Sequence, residues 1–280
     1  MLTVLSAKEG KDVKTAGIIL KLLNGLYSLV LFLILLGVVG FSGYVLWDGN
    51  QIVQSAMTVQ RSVQVYRPTA EDGEKKALSF QELQKLNPDV CAWLTLSNTN
   101  IDYPVVQGKK NGDYLSTDVL GNYDLAGSIF LDSRNSRLFE NAVQVLYGHN
   151  LQNNRGSSEQ DNANDKDGLM FSDLKKYENA AFFENSREGM LLSPDGAWKL
   201  HIFAFLIAPS EEDLIFDPEY AAENRSLLLN YVTDHAVRLD PETLAVLRGG
   251  SERILTMTTC TDAADSDERR VVLAWMEDAA

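Results

Sequence analysis

Cysteine is scarce in this chain: Cys91 and Cys260 are the only two in 280 residues. Two thiols make no disulfide framework, so the fold must rest on an apolar core. A single Cys91–Cys260 bridge is compatible with composition, but the two sit in unlike local patterns and are not expected to pair. Histidine is limited to His149, His201 and His235. No C-x-x-C or H-E-x-x-H spacing occurs, so no metal site is expected. A phosphate-binding P-loop and a dinucleotide fingerprint are missing too, so no cofactor is expected. Basic charge is in deficit, with 25 Lys and Arg against 39 Asp and Glu and a net charge of −14. That balance argues against a nucleic-acid partner. There is no internal repeat. The length allows one catalytic domain plus appendages.

One stretch lacks charge altogether. Leu22 to Trp47 is rich in Leu, Val, Ile and Gly, and carries no charged residue over 26 positions. About 20 apolar residues span a bilayer, so a tilted transmembrane helix fits. Tyr27, Tyr44 and Trp47 stand towards its ends, where interfacial aromatics belong. A cleaved signal peptide would have a shorter apolar region, about 7–15 residues, and a small-x-small cleavage site. Lys8, Lys11, Lys14 and Lys21 precede the span and Asp48 follows it. The positive-inside rule then puts residues 1–21 in the cytoplasm, the anchor at 22–47, and all that follows outside the cell.

Residues 48–78 read as a stalk. Ile52, Val53, Ala56, Val59 and Val63 recur at helical spacing, Arg67-Pro68 ends the run, and Ala70 to Lys76 is a charged linker. The folded domain is expected over 79–280. Ser79 followed by Glu82 predicts a capped helix over Phe80–Leu86. Val90–Leu96 and Ile101–Gln107, joined at Ser97-Asn98-Thr99-Asn100, read as a strand pair. Further strands are expected at Gly127–Leu131 and Ala142–Tyr147. Met190–Ser193 and Trp198–Ile207 predict a hairpin about Pro194-Asp195-Gly196. Leu169–Tyr177, Ala180–Asn185 and Pro218–Ala236 read as helices. In the last of these, Leu227, Leu228, Tyr231 and Val232 share a face. Gln152–Gly168 is almost devoid of apolar residues and reads as a flexible loop, starting just after His149. Short strands with a few helices between them predict a β-rich barrel or sandwich with helical additions.

The chemistry gathers in Ile254–Trp275. Two apolar runs, Ile254–Met257 and Val271–Trp275, flank a polar connection. The first strand ends on Cys260 and the second opens on Arg269 and Arg270. A catalytic thiol must be reachable, and it reacts as the thiolate. Cys260, approached through Thr256, Thr258 and Thr259 and followed by polar loop, meets that need. Cys91 lies inside the apolar run Val90–Leu94 and reads as core. His149, after a strand and a glycine, is placed to act as acid and base. His201 in a strand and His235 at a helix end read as structural. Arg270 is the candidate for stabilising an oxyanion. Arg269 is the alternative, because adjacent strand residues face opposite sides.

Tyr147-Gly148-His149-Asn150, then Thr256-Met257-Thr258-Thr259-Cys260, then Arg270 ten positions on, resemble the sortases, cysteine transpeptidases of Gram-positive surfaces. Asn87-Pro88-Asp89-Val90 with Trp93, Asn100 to Gln107, Gly127 to Asp132, and the helix before the final strands are similar to class B in particular. The resemblance covers about residues 79–276 and implies an eight-stranded β-barrel with helical additions behind one transmembrane helix. It implies His149, Cys260 and Arg270 as the catalytic residues, and Tyr147 and Thr258 as substrate-binding ones. Cys260 would attack the Thr carbonyl of a sorting signal on a secreted protein. The thioacyl enzyme would pass to an amine of peptidoglycan precursor or of a pilin. The family's resting Cys and His are mostly neutral. Asp262, Asp265, Asp267 and Glu268 would oppose a thiolate nearby, in keeping with that. Met257 replaces the usual Leu, and the 152–168 insertion is unusual so soon after the His motif. Two other readings use the same residues: a purely hydrolytic cysteine protease, and a catalytically silent tethered binding domain.

Overall fold

The computed structural model describes residues 2–71, 73–152, 168–260 and 267–279. The expected loop Gln152–Gly168, apart from its two end residues, lies outside the described residues, as do Asp262 and Asp265. Contacts divide the chain into two units, Met1–Gln51 and Ile52–Ala280. A single helix, α1 (Leu2–Val63), enters both.

In the first unit every described side chain from Leu20 onward is exposed. Leu, Val, Ile and Phe all round a helix, none of it covered by protein, is the pattern of a lipid-facing segment rather than of a soluble core. The helical stretch Leu20–Tyr66 contains a window of mean hydropathy 2.6, long and apolar enough to cross a membrane.

The second unit is built on a closed barrel. Its strands are β1 (Val90–Leu96), β2 (Asp102–Val106), β3 (Ile129–Leu131) and β4 (Val143–Tyr147). A two-stranded ribbon, β5 (Asn150–Gln152) with β6 (Gly168–Met170), stands beside it. Then come β7 (Glu188–Leu192), β8 (Ala197–Pro209), β9 (Ala236–Leu239), β10 (Arg253–Cys260) and β11 (Glu268–Asp278). The order β11-β10-β4-β3-β2-β1-β7-β8 closes through β8–β11 pairing, giving eight strands with β9 as an added edge on β8. The pairs β2–β3 and β4–β10 are parallel; the other barrel pairs are antiparallel. This is the expected mainly-β barrel, and closure removes the sandwich alternative.

Alternation along each strand sorts the core. In β11, Val272, Ala274 and Met276 face one cluster with Leu94, Val105, Leu146, Phe205 and Met257. Val271 and Leu273 face the other side, against Ile215, Ala221, Leu228, Val232 and Leu247. Those come from helices between β8 and β10: α4 (Asp213–Phe216), α5 (Pro218–Glu223), α6 (Arg225–His235) and α7 (Pro241–Gly249). A third cluster joins Val63 of α1 and Phe80 and Leu83 of α2 (Gly73–Leu86) to Val90, Trp93 and Phe130.

Several expectations need correction. The helix expected from Phe80 begins at Gly73, so Ser79 lies inside it and caps nothing. The segment read as a stalk is not detached: Val53, Ala56 and Val63 are buried, and Gln64 Nε2 donates to Asp102 O at 2.8 Å. Leu169–Tyr177 is not one helix. It starts in β6 and continues as a 3-10 turn, Ser172–Glu178, while α3 (Ala180–Asn185) forms as expected. Pro218–Ala236 is two helices broken at Asn224, and Leu227, placed on the apolar face by spacing, is exposed. Asp217 and Asp240 cap α5 and α7, each followed by Pro at the first helical position.

Candidate functional site

The parallel pair β4–β10 builds the site. Its register sets Val145 opposite Thr256 and Tyr147 opposite Thr258. Gly148 N then donates to Thr258 O at 3.2 Å, carrying the pairing one step past the strand. His149 is two residues beyond Tyr147, and Cys260 two beyond Thr258. The two strands thus run in one direction and end at one place, with neighbouring strands about 4.8 Å apart. On its other side the β10 backbone pairs Cys260 with Arg269 and Thr259 with Arg270.

A pocket of about 370 Å³ opens at this end. Tyr147, His149, Thr258 and Thr259 line it, with Phe130 and Phe216, Asn111 and Leu115, and Ser210 and Arg269. The Tyr147 ring stacks on Phe130 at 5.2 Å between centroids. Thr258 and Thr259 are buried, and their Oγ1 atoms have no hydrogen-bond partner among the described residues. Such hydroxyls, when dry, favour a ligand that brings its own donors and acceptors.

His149 Nε2 lies 2.8 Å from Leu115 O. A carbonyl oxygen only accepts, so Nε2 carries the proton and Nδ1 is the nitrogen left for proton transfer. Gly127 makes this possible. Its φ is +60°, and a Cβ there would lie 2.7 Å from both Tyr114 O and Leu115 O and 3.0 Å from His149 Cδ2. Gly148 is equally confined, since a Cβ would meet the Phe171 ring at 2.8 Å.

Behind the pocket, the fully buried Asp132 carboxylate accepts from Arg134 Nε and Nη2, from Asn111 Nδ2 at 2.7 Å and from Tyr147 Oη at 3.1 Å. Burial alone would raise its pKa. The hydrogen bonds of Arg134, together with Asn111, outweigh burial and hold it below the usual carboxylate range. The Tyr147 phenol is pushed up by burial and then by the Asp132 charge.

Of the residues singled out from sequence, His149, Tyr147 and Thr258 line one pocket, and Cys260 ends the strand beside it. Arg269 is the arginine that lines the pocket, whereas Arg270 pairs with Thr259 on one side and Ile207 on the other. His201 stacks on Trp275 and meets Glu277, and His235 caps α6, both away from the pocket. Cys91 is buried and free inside the barrel. Asn111, Leu115, Phe216, Asp132 and Arg134 join the site without being marked as site residues by the sequence. Their only sequence signal is Asp132-Ser-Arg134 directly after a strand, a spacing common in turns.

The comparisons with known proteins meet this geometry. No protein-family model matches the chain. Sortase B of Listeria monocytogenes serovar 1/2a is 32% identical over 196 residues, covering 69% of this chain and 72% of the relative. The chain belongs to the class B sortases. As a sortase it is a cysteine transpeptidase. A Streptococcus pyogenes class B sortase involved in pilus biogenesis matches with a TM-score of 0.61 at 30% identity, over 72% of this chain and all of that one. The Staphylococcus aureus sortase B–substrate complex matches with a TM-score of 0.59 at 28% identity, over 73% and 87% of the two chains.

Proposed function

We propose that this sortase uses Cys260 as nucleophile and His149 as acid and base, cleaving a sorting signal at a Thr carbonyl. The observation that carries the reading is the parallel β4–β10 register, which ends both strands at one pocket. The Cys260 thiolate adds to the carbonyl carbon, and the negative charge moves to its oxygen. A guanidinium at the start of β11 stabilises that oxyanion. Arg269 is favoured by its place in the pocket lining and Arg270 by the family pattern. His149 Nδ1, which took the thiol proton as the Cys260 thiolate formed, gives that proton to the leaving amide nitrogen as the C–N bond breaks, and a thioester remains. An incoming amine then adds, His149 takes its proton, and the thiolate leaves. Tyr147 and Thr258 hold the signal: the ring offers an apolar contact, and the unpartnered Thr258 hydroxyl a hydrogen bond.

The anchor at 22–47, with lysines before it, supports a cytoplasmic N-terminus and a catalytic domain outside the membrane. The acceptor is an amine of peptidoglycan precursor. A second reading, joining of pilins through a lysine amine, is favoured by the likeness to the Streptococcus pyogenes enzyme.

The test uses the full chain in detergent with a panel of sorting-signal peptides, alone, with triglycine and with a lysine-bearing peptide. Mass spectrometry should show a cleaved product carrying the acceptor mass, absent from Cys260→Ala. Cleavage by water alone under every acceptor would turn the reading towards a protease. Unchanged peptide binding with no Cys260 adduct would turn it towards a silent binding domain. Arg269→Ala and Arg270→Ala, run side by side, assign the oxyanion partner by the larger loss of kcat, about 10²-fold or more.

A further inference from the structure

Three separate pieces of chain form the wall of the pocket around Tyr147. Asn111 comes from the long connection between β2 and β3, Tyr147 from the end of β4, and Phe216 from the end of α4. Nothing in their sequences ties them together. One carboxylate does. Asp132 Oδ2 accepts from Asn111 Nδ2 at 2.7 Å, from Arg134 Nη2 at 2.8 Å and from Tyr147 Oη at 3.1 Å, while Oδ1 accepts from Arg134 N and Nε, each at 2.9 Å. Arg134 then reaches across to the helical insertion. Its Nη2 donates to Phe216 O at 2.8 Å and its Nη1 to Asp217 Oδ2 at 2.8 Å. Tyr147 Oη also lies 3.2 Å from Phe216 O.

We infer that the Asp132–Arg134 pair is the positioning device of the peptide site, setting the gap between Tyr147 and Phe216 in which the signal is gripped. This rests on the proposed use of the pocket for a peptide signal. The two residues touch no reacting atom. They act through Asn111, Tyr147 and Phe216. The guanidinium is suited to the task because its planar fork serves a carboxylate on one edge and a carbonyl and a second carboxylate on the other. A lysine has one nitrogen and cannot span both. With its single proton directed at Asp132 or Phe216 O, Tyr147 presents its ring rather than a hydroxyl donor to the pocket. The helical insertion itself is held to the barrel by apolar contacts on its far side. Loss of the pair should therefore loosen the grip before it loosens the fold.

The experiment measures kcat and KM of the full chain in detergent against the best peptide of the panel, with active sites titrated through a Cys260 label. Arg134→Gln should raise KM about ten-fold or more, the worth of a charge-assisted hydrogen bond, with kcat per labelled site within about three-fold. Arg134→Lys should fail to restore KM. Tyr147→Phe, which keeps the ring, should change KM by less than Arg134→Gln. If Arg134→Gln does not fold, Asp217→Asn decides, since it keeps the Oδ1 cap of α5 and weakens only the strut; KM should rise about three-fold. A normal KM with fewer active sites would mean a merely structural role and would overturn the inference. So would recovery of KM by lysine. If the wild type cleaves no peptide while Cys260 still takes its label, the peptide-site reading falls, and this inference with it. Wild-type cleavage with unchanged variants removes the inference alone.

Discussion

The two cysteines stand in two strands of the same barrel, one near the start of β1 and one at the end of β10. Cys91 is the second residue of β1, which has partners on both sides, β2 and β7. Its side chain points into the barrel, and Sγ lies 3.5 Å from Val105 O. Cys260 is the last residue of β10, one position past Thr259 of the pocket lining, and β10 runs parallel to the strand that leads to His149. A thiol buried inside a barrel acts as a small apolar side chain, whereas a catalytic thiol must be reachable.

The sharpest way to break this contrast is chemical labelling. Iodoacetamide at neutral pH should add one group to the folded wild type and none to Cys260→Ala, with Cys91→Ala labelling as wild type does. Transpeptidation should vanish in Cys260→Ala and persist in Cys91→Ala. A label on Cys91 in the folded protein would refute the distinction. Next in size is Gly127→Ala. A left-handed residue with a Cβ costs about 1–2 kcal/mol, and here the new atom also presses on the two carbonyls and on His149. Activity should fall at least ten-fold, beyond what the drop in melting temperature explains.

Acid and alkali probe the two regions separately. Asp132 is held below the usual carboxylate range, so its contribution is complete above about pH 4 and is lost as pH falls through its depressed folded value. The melting temperature of Asp132→Asn should accordingly fall less steeply with acid than that of the wild type. Burial pushes the Cys91 thiol up to about 12 from 9.0. Its contribution is complete below about pH 9 and is lost as pH rises towards 12, so Cys91→Ala should flatten the alkaline limb of the same plot. The smallest effect is that of Cys91→Ala at neutral pH, about 1 kcal/mol for a small void, read by denaturant titration.

Much of the barrel could be read in advance because its strands obey local rules. The Ser97–Asn100 turn, where Asn98 takes φ 60°, and the apolar runs of β1, β10 and β11 announce themselves. The place of the helix break at Asn224 does not, since helical spacing continues across it. The start of α2 was misread because Ser79 and Glu82 satisfy a capping pattern inside a helix that tertiary packing extends back to Gly73. His149 and Cys260 stand out in the sequence as rare residues at strand ends. The choice between Arg269 and Arg270 does not, because a connection of unknown shape leaves open which of two neighbours pairs with Cys260. The joint role of Asp132 and Arg134 is not legible for a different reason. Their partners come from three other segments, and only the closed barrel brings those segments together.

The parallel pairing of β4 with β10 has a consequence in time. Tyr147 and Thr258 are more than a hundred residues apart in the chain. Their contact therefore carries a large loop-closure entropy and forms late, after local hairpins such as β7–β8. β11 fits between β8 and β10 and closes the ring. A half-folded chain would leave the ends of β4 and β10 apart, with His149 just past one and Cys260 at the other.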